Sequence, residues 1–220
     1  MGNVIIFGLE QFADMIFHLL ENDVRYHVCG FCADKQYLNG AEEKFGLPVT
    51  AFEELEQRFE PKEHGILFGI GYTDMNRLRE KRMVEAEQRG YKILGYAHPT
   101  AIIQTEDIGQ GNIFMEGSVI GQGCTIGNGN IFYPMAHIAH HTTVGNYNFF
   151  TISCAVAGNI KINDYCVFGN NCTIKNGIEI QEGTLVGAGA YIAHSTEAWS
   201  VYVPPRSYKL EGKSSLDFKL

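Results

Sequence analysis

No stretch of this 220-residue chain approaches the roughly 18 consecutive apolar residues that a membrane helix needs, and no secretory leader precedes the first apolar run. The expected setting is therefore the cytoplasm, without a membrane partner. Positive charge is also scarce: 17 Lys and Arg face 25 Asp and Glu, a net charge of −8. With no basic cluster carrying interleaved aromatics, nucleic acid is not an expected partner. The glycine-rich dinucleotide fingerprint is missing, since the first apolar run is followed by Gly8-Leu-Glu-Gln-Phe-Ala13. Metal-ligand spacing is missing too. The histidines gather in His137-Ile-Ala-His140-His141, and only His98 stands upstream as a further ligand, so no metal is expected. His194 reads as structural.

Cysteine is present but not as a disulfide framework. Cys29-Gly-Phe-Cys32 is a C-x-x-C, yet it lies inside an apolar strand pattern rather than at a helix start where a thiolate is stabilised. The pair reads as small core residues. Cys124, Cys154, Cys166 and Cys172 fall at regular positions of the repeat described next.

From Ile102 every sixth residue is aliphatic or Phe as far as Ile192, passing through Ile108, Phe114, Ile120, Ile126, Phe132, Ile138, Val144, Phe150, Val156, Ile162, Phe168, Ile174, Ile180 and Val186. Six residues turn an α-helix through about 600°, which scatters such positions around it. A strand accommodates them, because six is a multiple of its side-chain period of two. Short strands that bend every six residues, three to a coil, form a left-handed parallel β-helix. The four Phe fall in one column, spaced to stack. Small residues precede the inward positions by two and suit the corners. The outward residues divide the faces: Asp107, Thr125, Thr143, Lys161 and Glu179 make a wet face, while Ile113, Ile131, Phe149, Val167 and Leu185 make an apolar stripe. The third face (Ala101, Val119, His137, Ala155, Thr173, Tyr191) is mixed. Exposed apolar stripes are interaction surfaces, and a prism with one polar face predicts a homotrimer.

Upstream, Val4–Phe7 reads as a buried strand, 10–20 as a helix, 26–32 as a strand, 51–59 as a helix, 65–70 as a strand, 74–89 as a helix and 92–96 as a strand. The alternation predicts a small Rossmann-like parallel sheet. The fold class is thus mainly β with an α/β N-terminal domain: residues 1–99 as a ligand-binding domain, 100–194 as the β-helix and 195–220 as a C-terminal tail. Ligands bind beyond the carboxyl ends of such strands, where Gly8, Asp34 and the Gly71–Arg79 loop converge.

In this register His140 occupies a bend, and Gly158 lies one coil further along the same edge. An imidazole can take the proton from an attacking amine or hydroxyl. A glycine N–H can approach a thioester carbonyl closely. The pair suits acyl transfer by direct attack, since no Ser or Cys stands at the bend as a covalent nucleophile. His141 is the second catalytic candidate.

His140, Val144-Gly145 and Ala157-Gly158-Asn159, set in an α/β domain followed by uninterrupted hexads, resemble the bacterial N-acetyltransferases of nucleotide-linked amino sugars, within the hexapeptide-repeat acyltransferases. The resemblance implies that the matching His140 is the base and that the matching Gly158 donates its amide to acetyl-CoA, a cosubstrate rather than a tightly held cofactor. It implies that Phe149, Gly187 and Ala188 line the acyl-CoA path between adjacent β-helices, with Arg206 or Lys209 at the coenzyme phosphates. Gly8, Asp34 and Arg79 are then placed at a nucleotide-linked 6-deoxy amino sugar, for surface glycan assembly. Four features depart from the family: His141 stands where Glu is common, Phe149 stands where a second His is found, the Gly-rich loop after the first strand is reduced to Gly8, and Ala33-Asp34 replaces an acidic pair. Alternatives are a sugar O-acetyltransferase, a non-catalytic trimeric scaffold, and a zinc enzyme like the gamma-class carbonic anhydrases.

Overall fold

The structure is a computed structural model and describes residues 2–217. Five of the N-terminal strands run in parallel: β1 (Gly2–Phe7), β2 (Tyr26–Ala33), β4 (Leu47–Ala51), β5 (His64–Phe68) and β6 (Lys92–Ile93). The short β3 (Glu43–Lys44) pairs antiparallel with β4, and the sheet order is β3-β4-β2-β1-β5-β6. Helix α1 (Gln11–Glu21) buries Phe12, Ala13, Ile16 and Leu20, the face that its apolar spacing predicts.

Three local expectations are corrected. Strand β4 was not foreseen, because Pro48 interrupts a short run with little alternation. The segment 51–59 forms a 3₁₀ helix, Phe52–Gln57, rather than an α-helix. Helix α2 spans Arg77–Gln88 and starts late, because Asp74, Met75 and Asn76 all take left-handed backbone, with φ of 51°, 48° and 68°. Three consecutive non-glycine residues in that region cannot belong to a right-handed helix.

The second half winds as a parallel β-helix with three faces. The first face carries Ile113–Phe114, Ile131–Phe132, Phe149–Phe150, Val167–Phe168 and Leu185–Val186, extended at its ends by Tyr96–Ala97 and Val201–Tyr202. The second runs from Ile102–Ile103 through His137–Ile138 to Tyr191–Ile192, and the third from Thr125–Ile126 to Glu179–Ile180. Partners are eighteen residues apart, as in Val119 with His137 and Phe132 with Phe150. The first coil is one residue short: Ile120 pairs with Ile103, so Ile103 turns inward and Ile102 is 53% exposed. The series therefore begins one residue later than its sequence phase indicates.

Phe114, Phe132, Phe150 and Phe168 stack with centroids 4.9, 4.7 and 4.6 Å apart, nearly coplanar. The corner residues Ser118, Cys124, Asn130, Ala136, Thr142, Asn148, Cys154, Cys166, Cys172, Thr184 and Ala190 are all buried. One corner carries a ladder that spacing alone did not reveal. Asn112 Oδ1 accepts from the Asn130 backbone N–H, Asn130 Oδ1 from that of Asn148, and Asn148 Oδ1 from that of Cys166. Each side chain thus satisfies a backbone donor on the next coil.

The apolar stripe is covered by the chain itself. Ile113, Ile131, Phe149 and Val167 share one cluster with Phe12, Ala13 and Ile16 of α1. Sequence alone assigned this stripe to a neighbouring subunit; the N-terminal domain is what buries it.

Candidate active site

Gly158 is the floor of the candidate site. A Cβ built on it would lie 2.6 Å from Cε1, 2.8 Å from Nε2 and 3.0 Å from Nδ1 of His140, so the imidazole rests directly on the glycine. Any side chain there would displace the ring. On the preceding coil, a Cβ on Gly121 would fall 2.8 Å from the His140 backbone nitrogen. The bend is pinned by hydrogen bonds from the Asn159 N–H to the His140 carbonyl (3.1 Å) and from the His141 N–H to the Gln122 carbonyl (3.0 Å). The Gly158 N–H makes no hydrogen bond with a described residue. The sequence-derived pair is thus brought together: an exposed imidazole beside an unpartnered backbone donor.

His141 stands at right angles to it, with ring planes 80° apart and Nδ1 3.0 Å from Nδ1 of His140. His137 points outward on the strand before the bend. The cysteines nearest in sequence, Cys124 and Cys154, are buried, and burial raises the Cys124 thiol. Cys29 and Cys32 are likewise raised by burial, so neither is a ready thiolate. Among the described residues no group of three His, Cys, Asp or Glu could hold a metal ion, and no helix is long and apolar enough to cross a membrane.

A second site lies at the carboxyl ends of β1, β2 and β5. A cavity of about 370 Å³ is lined by Gly8, Leu9, Phe12, Asp34, Gly71 and Thr73, among others. Gly8 is required by a close approach: with φ +130°, a Cβ there would lie 2.7 Å from the Gly69 carbonyl oxygen. Asp34 is buried, and its Oδ2 accepts from Arg82 Nη2 at 2.6 Å while its Oδ1 has no partner among the described residues. Asp34 thus brings to the cavity lining a carboxylate held in place by Arg82. Arg82 was missed from sequence, because nothing in the α2 pattern separates it from its charged neighbours.

Two expected site residues are elsewhere engaged. Arg79 is 1% exposed and donates to the carbonyls of Gly129 (2.8 Å), Ile70 (3.2 Å), Gly71 (2.6 Å) and Asn148 (3.2 Å), and to Asn76 Oδ1 (3.0 Å). Burial pushes its pKa down to about 9. It fastens the loop after β5 to the β-helix and has no donor left for a substrate. Phe149 is 1% exposed, packed against Phe12, Tyr133 and Tyr72, and so cannot line an acyl path. Its outward position on the first face, now covered by α1, is the reason. Gly187 and Ala188 lie on the edge between first and second faces, away from the His140 edge, and the Gly187 N–H donates to the Tyr202 carbonyl at 2.7 Å. Arg206 and Lys209 are exposed on the tail.

No family model matches this chain, and no curated protein matches it. Solved structures do. The acetyltransferase domain of PglB from Neisseria gonorrhoeae superposes with a TM-score of 0.80 at 20% identity, covering 91% of this chain and 96% of that one. PerB from Caulobacter crescentus, solved with CoA and GDP-perosamine, gives 0.77 at 21% identity, covering 91% and 93%. WeeI from Acinetobacter baumannii AYE gives 0.70 at 20%, covering 93% and 97%. The fold is therefore an α/β domain followed by a parallel β-helix, shared along nearly the whole chain with these proteins.

Proposed function

We propose that this protein transfers the acetyl group of acetyl-CoA to the amino group of a nucleotide-linked 6-deoxy amino sugar, in the cytoplasm, for glycan assembly. The observation that carries this is the His140 imidazole seated on Gly158, whose N–H is unpartnered. As the amine attacks the thioester carbonyl, His140 Nε2 takes its proton, and the Gly158 N–H donates to the carbonyl oxygen as charge builds there. Direct attack follows from the absence of a serine at the bend and the burial of the cysteines. The cavity at the sheet's carboxyl ends supplies the nucleotide-sugar site. The Asp34 carboxylate on its lining accepts from a ribose or base, and the start of α1 offers free N–H groups toward phosphate. PerB, similar over 91% of this chain, was solved with CoA and GDP-perosamine, which supports both ligand classes.

The two sites do not meet within one copy. The N-terminal domain covers the first face, and His140 lies on the opposite edge, between the second and third. A neighbouring copy completes the site, and the exposed second face, with Ile102, His137, Ala155 and Tyr191, is the surface left for it. The assembly proposed is a homotrimer, with Gly158, Gly187, Ala188 and the tail residue Arg206 along the coenzyme.

The test is incubation with acetyl-CoA and a panel of UDP-, dTDP- and GDP-linked 4-amino-6-deoxy sugars, with product mass followed before and after mild base. An acetylated product that survives base is the expected amide. A base-labile product would mean ester formation, and no product from any member would remove the proposed substrate class.

A further inference from the structure

His141 departs from the residues stacked with it. Gly123, His141, Asn159 and Gly177 follow one corner at eighteen-residue steps, all with left-handed backbone at φ of 72°, 54°, 57° and 72°. Histidine, like glycine and asparagine, tolerates this conformation, and His141 is the one residue of these four that carries an imidazole. The ring is seated, not loose: a Cβ on Gly123 would fall 3.0 Å from its Cδ2 and 3.3 Å from its Nε2. Its Nδ1 is 3.0 Å from Nδ1 of His140.

In that contact one nitrogen donates and the other accepts. Were His141 the donor, a neutral His140 would carry its proton on Nε2 and offer no lone pair over Gly158. The opposite arrangement leaves Nε2 free. We propose that His141 is a positioning residue which accepts the Nδ1–H of His140 and so holds that imidazole in its basic tautomer. The inference rests on the acyl-transfer reading above. When the amine nitrogen bonds to the thioester carbonyl carbon, its proton passes to His140 Nε2. The C–S bond then breaks, and the thiolate of coenzyme A leaves with the electron pair. His140 becomes an imidazolium whose Nδ1–H remains bonded to His141. The new positive charge then lies beside the accepting nitrogen of a ring that is open to solvent.

The experiment uses the full chain with His141→Gly and His141→Glu. Glycine suits this corner, as Gly123 and Gly177 show, and glutamate restores an acceptor. Nitrogen-15 NMR of the ring nitrogens, above neutral pH, reads the His140 tautomer without turnover. Steady-state kinetics use acetyl-CoA and the best acceptor of the nucleotide-sugar panel. His141→Gly is expected to move the His140 proton from Nδ1 to Nε2 and to lower kcat by roughly 10²-fold with both KM values little changed. His141→Glu is expected to restore both readouts. A wild-type His140 protonated on Nε2, a tautomer indifferent to His141→Gly, or wild-type kcat in that variant overturns the proposal. An inactive wild type with the expected tautomer would instead overturn the acyl-transfer reading alone.

Discussion

The pairing of His140 with Gly158 was legible at the residue scale because an eighteen-residue coil converts sequence distance into contact. Both the imidazole and its floor follow from counting. Gly158→Ala tests the contact: φ is not positive there, so alanine fits the backbone, but its methyl occupies the ring's place. The expected outcome is a fall in kcat of roughly 10²-fold with thermal stability retained; unchanged kcat would mean that the ring need not rest there. Arg79 was misread because a basic side chain in the first turn of a helix near a ligand site looks the same in sequence whether it faces the cavity or a ring of carbonyls. Arg79→Met should leave those carbonyls without a donor and cost at least about 3 kcal/mol in chemical denaturation. Unchanged stability with a raised KM for the nucleotide sugar would return Arg79 to the substrate.

Among the elements, regular repetition was readable and irregular segments were not. The phenylalanine column and the buried corners follow from a period held over many coils. The short first coil did not, because deletion of one residue leaves Ile102 and Ile103 equally apolar. The late start of α2 depends on three left-handed residues that carry no glycine to announce them. Phe150 sits between Phe132 and Phe168 with no room for the column to close. Phe150→Ala is expected to cost about 3–5 kcal/mol, read from denaturant midpoints; a loss below about 1 kcal/mol would show that the stack contributes little beyond spacing.

The molecule as a whole is joined by a seam that sequence could not locate. An outward apolar stripe looks the same whether a neighbouring subunit or the chain's own domain covers it, and α1 proved to be the cover. Tyrosines bordering that junction give it a pH signature. Burial pushes Tyr96, Tyr133 and Tyr147 each up to about 12. A phenol whose folded value lies above its unfolded value of about 10 stabilises the fold fully below pH ~10, and that contribution disappears as pH rises through the folded value. The thiols of Cys29, Cys32 and Cys124 are raised in the same sense from an unfolded value of about 8.5, so denaturant midpoints should hold to about pH 8.5 and fall progressively from there to about 12. Midpoints that stay flat to about pH 12 would contradict the burial of these phenols and thiols.

The central claim is that the imidazole of one copy serves the cavity of another. Co-expression of differently tagged His140→Ala and Thr73→Trp chains tests it, the second filling the cavity mouth at an exposed position. Each variant alone should be inactive, while purified mixed assemblies should recover about a third of the wild-type rate, because every mixed trimer holds one site of three with an intact residue from each of two neighbours. Mixed assemblies as inactive as the separate variants would contradict the account.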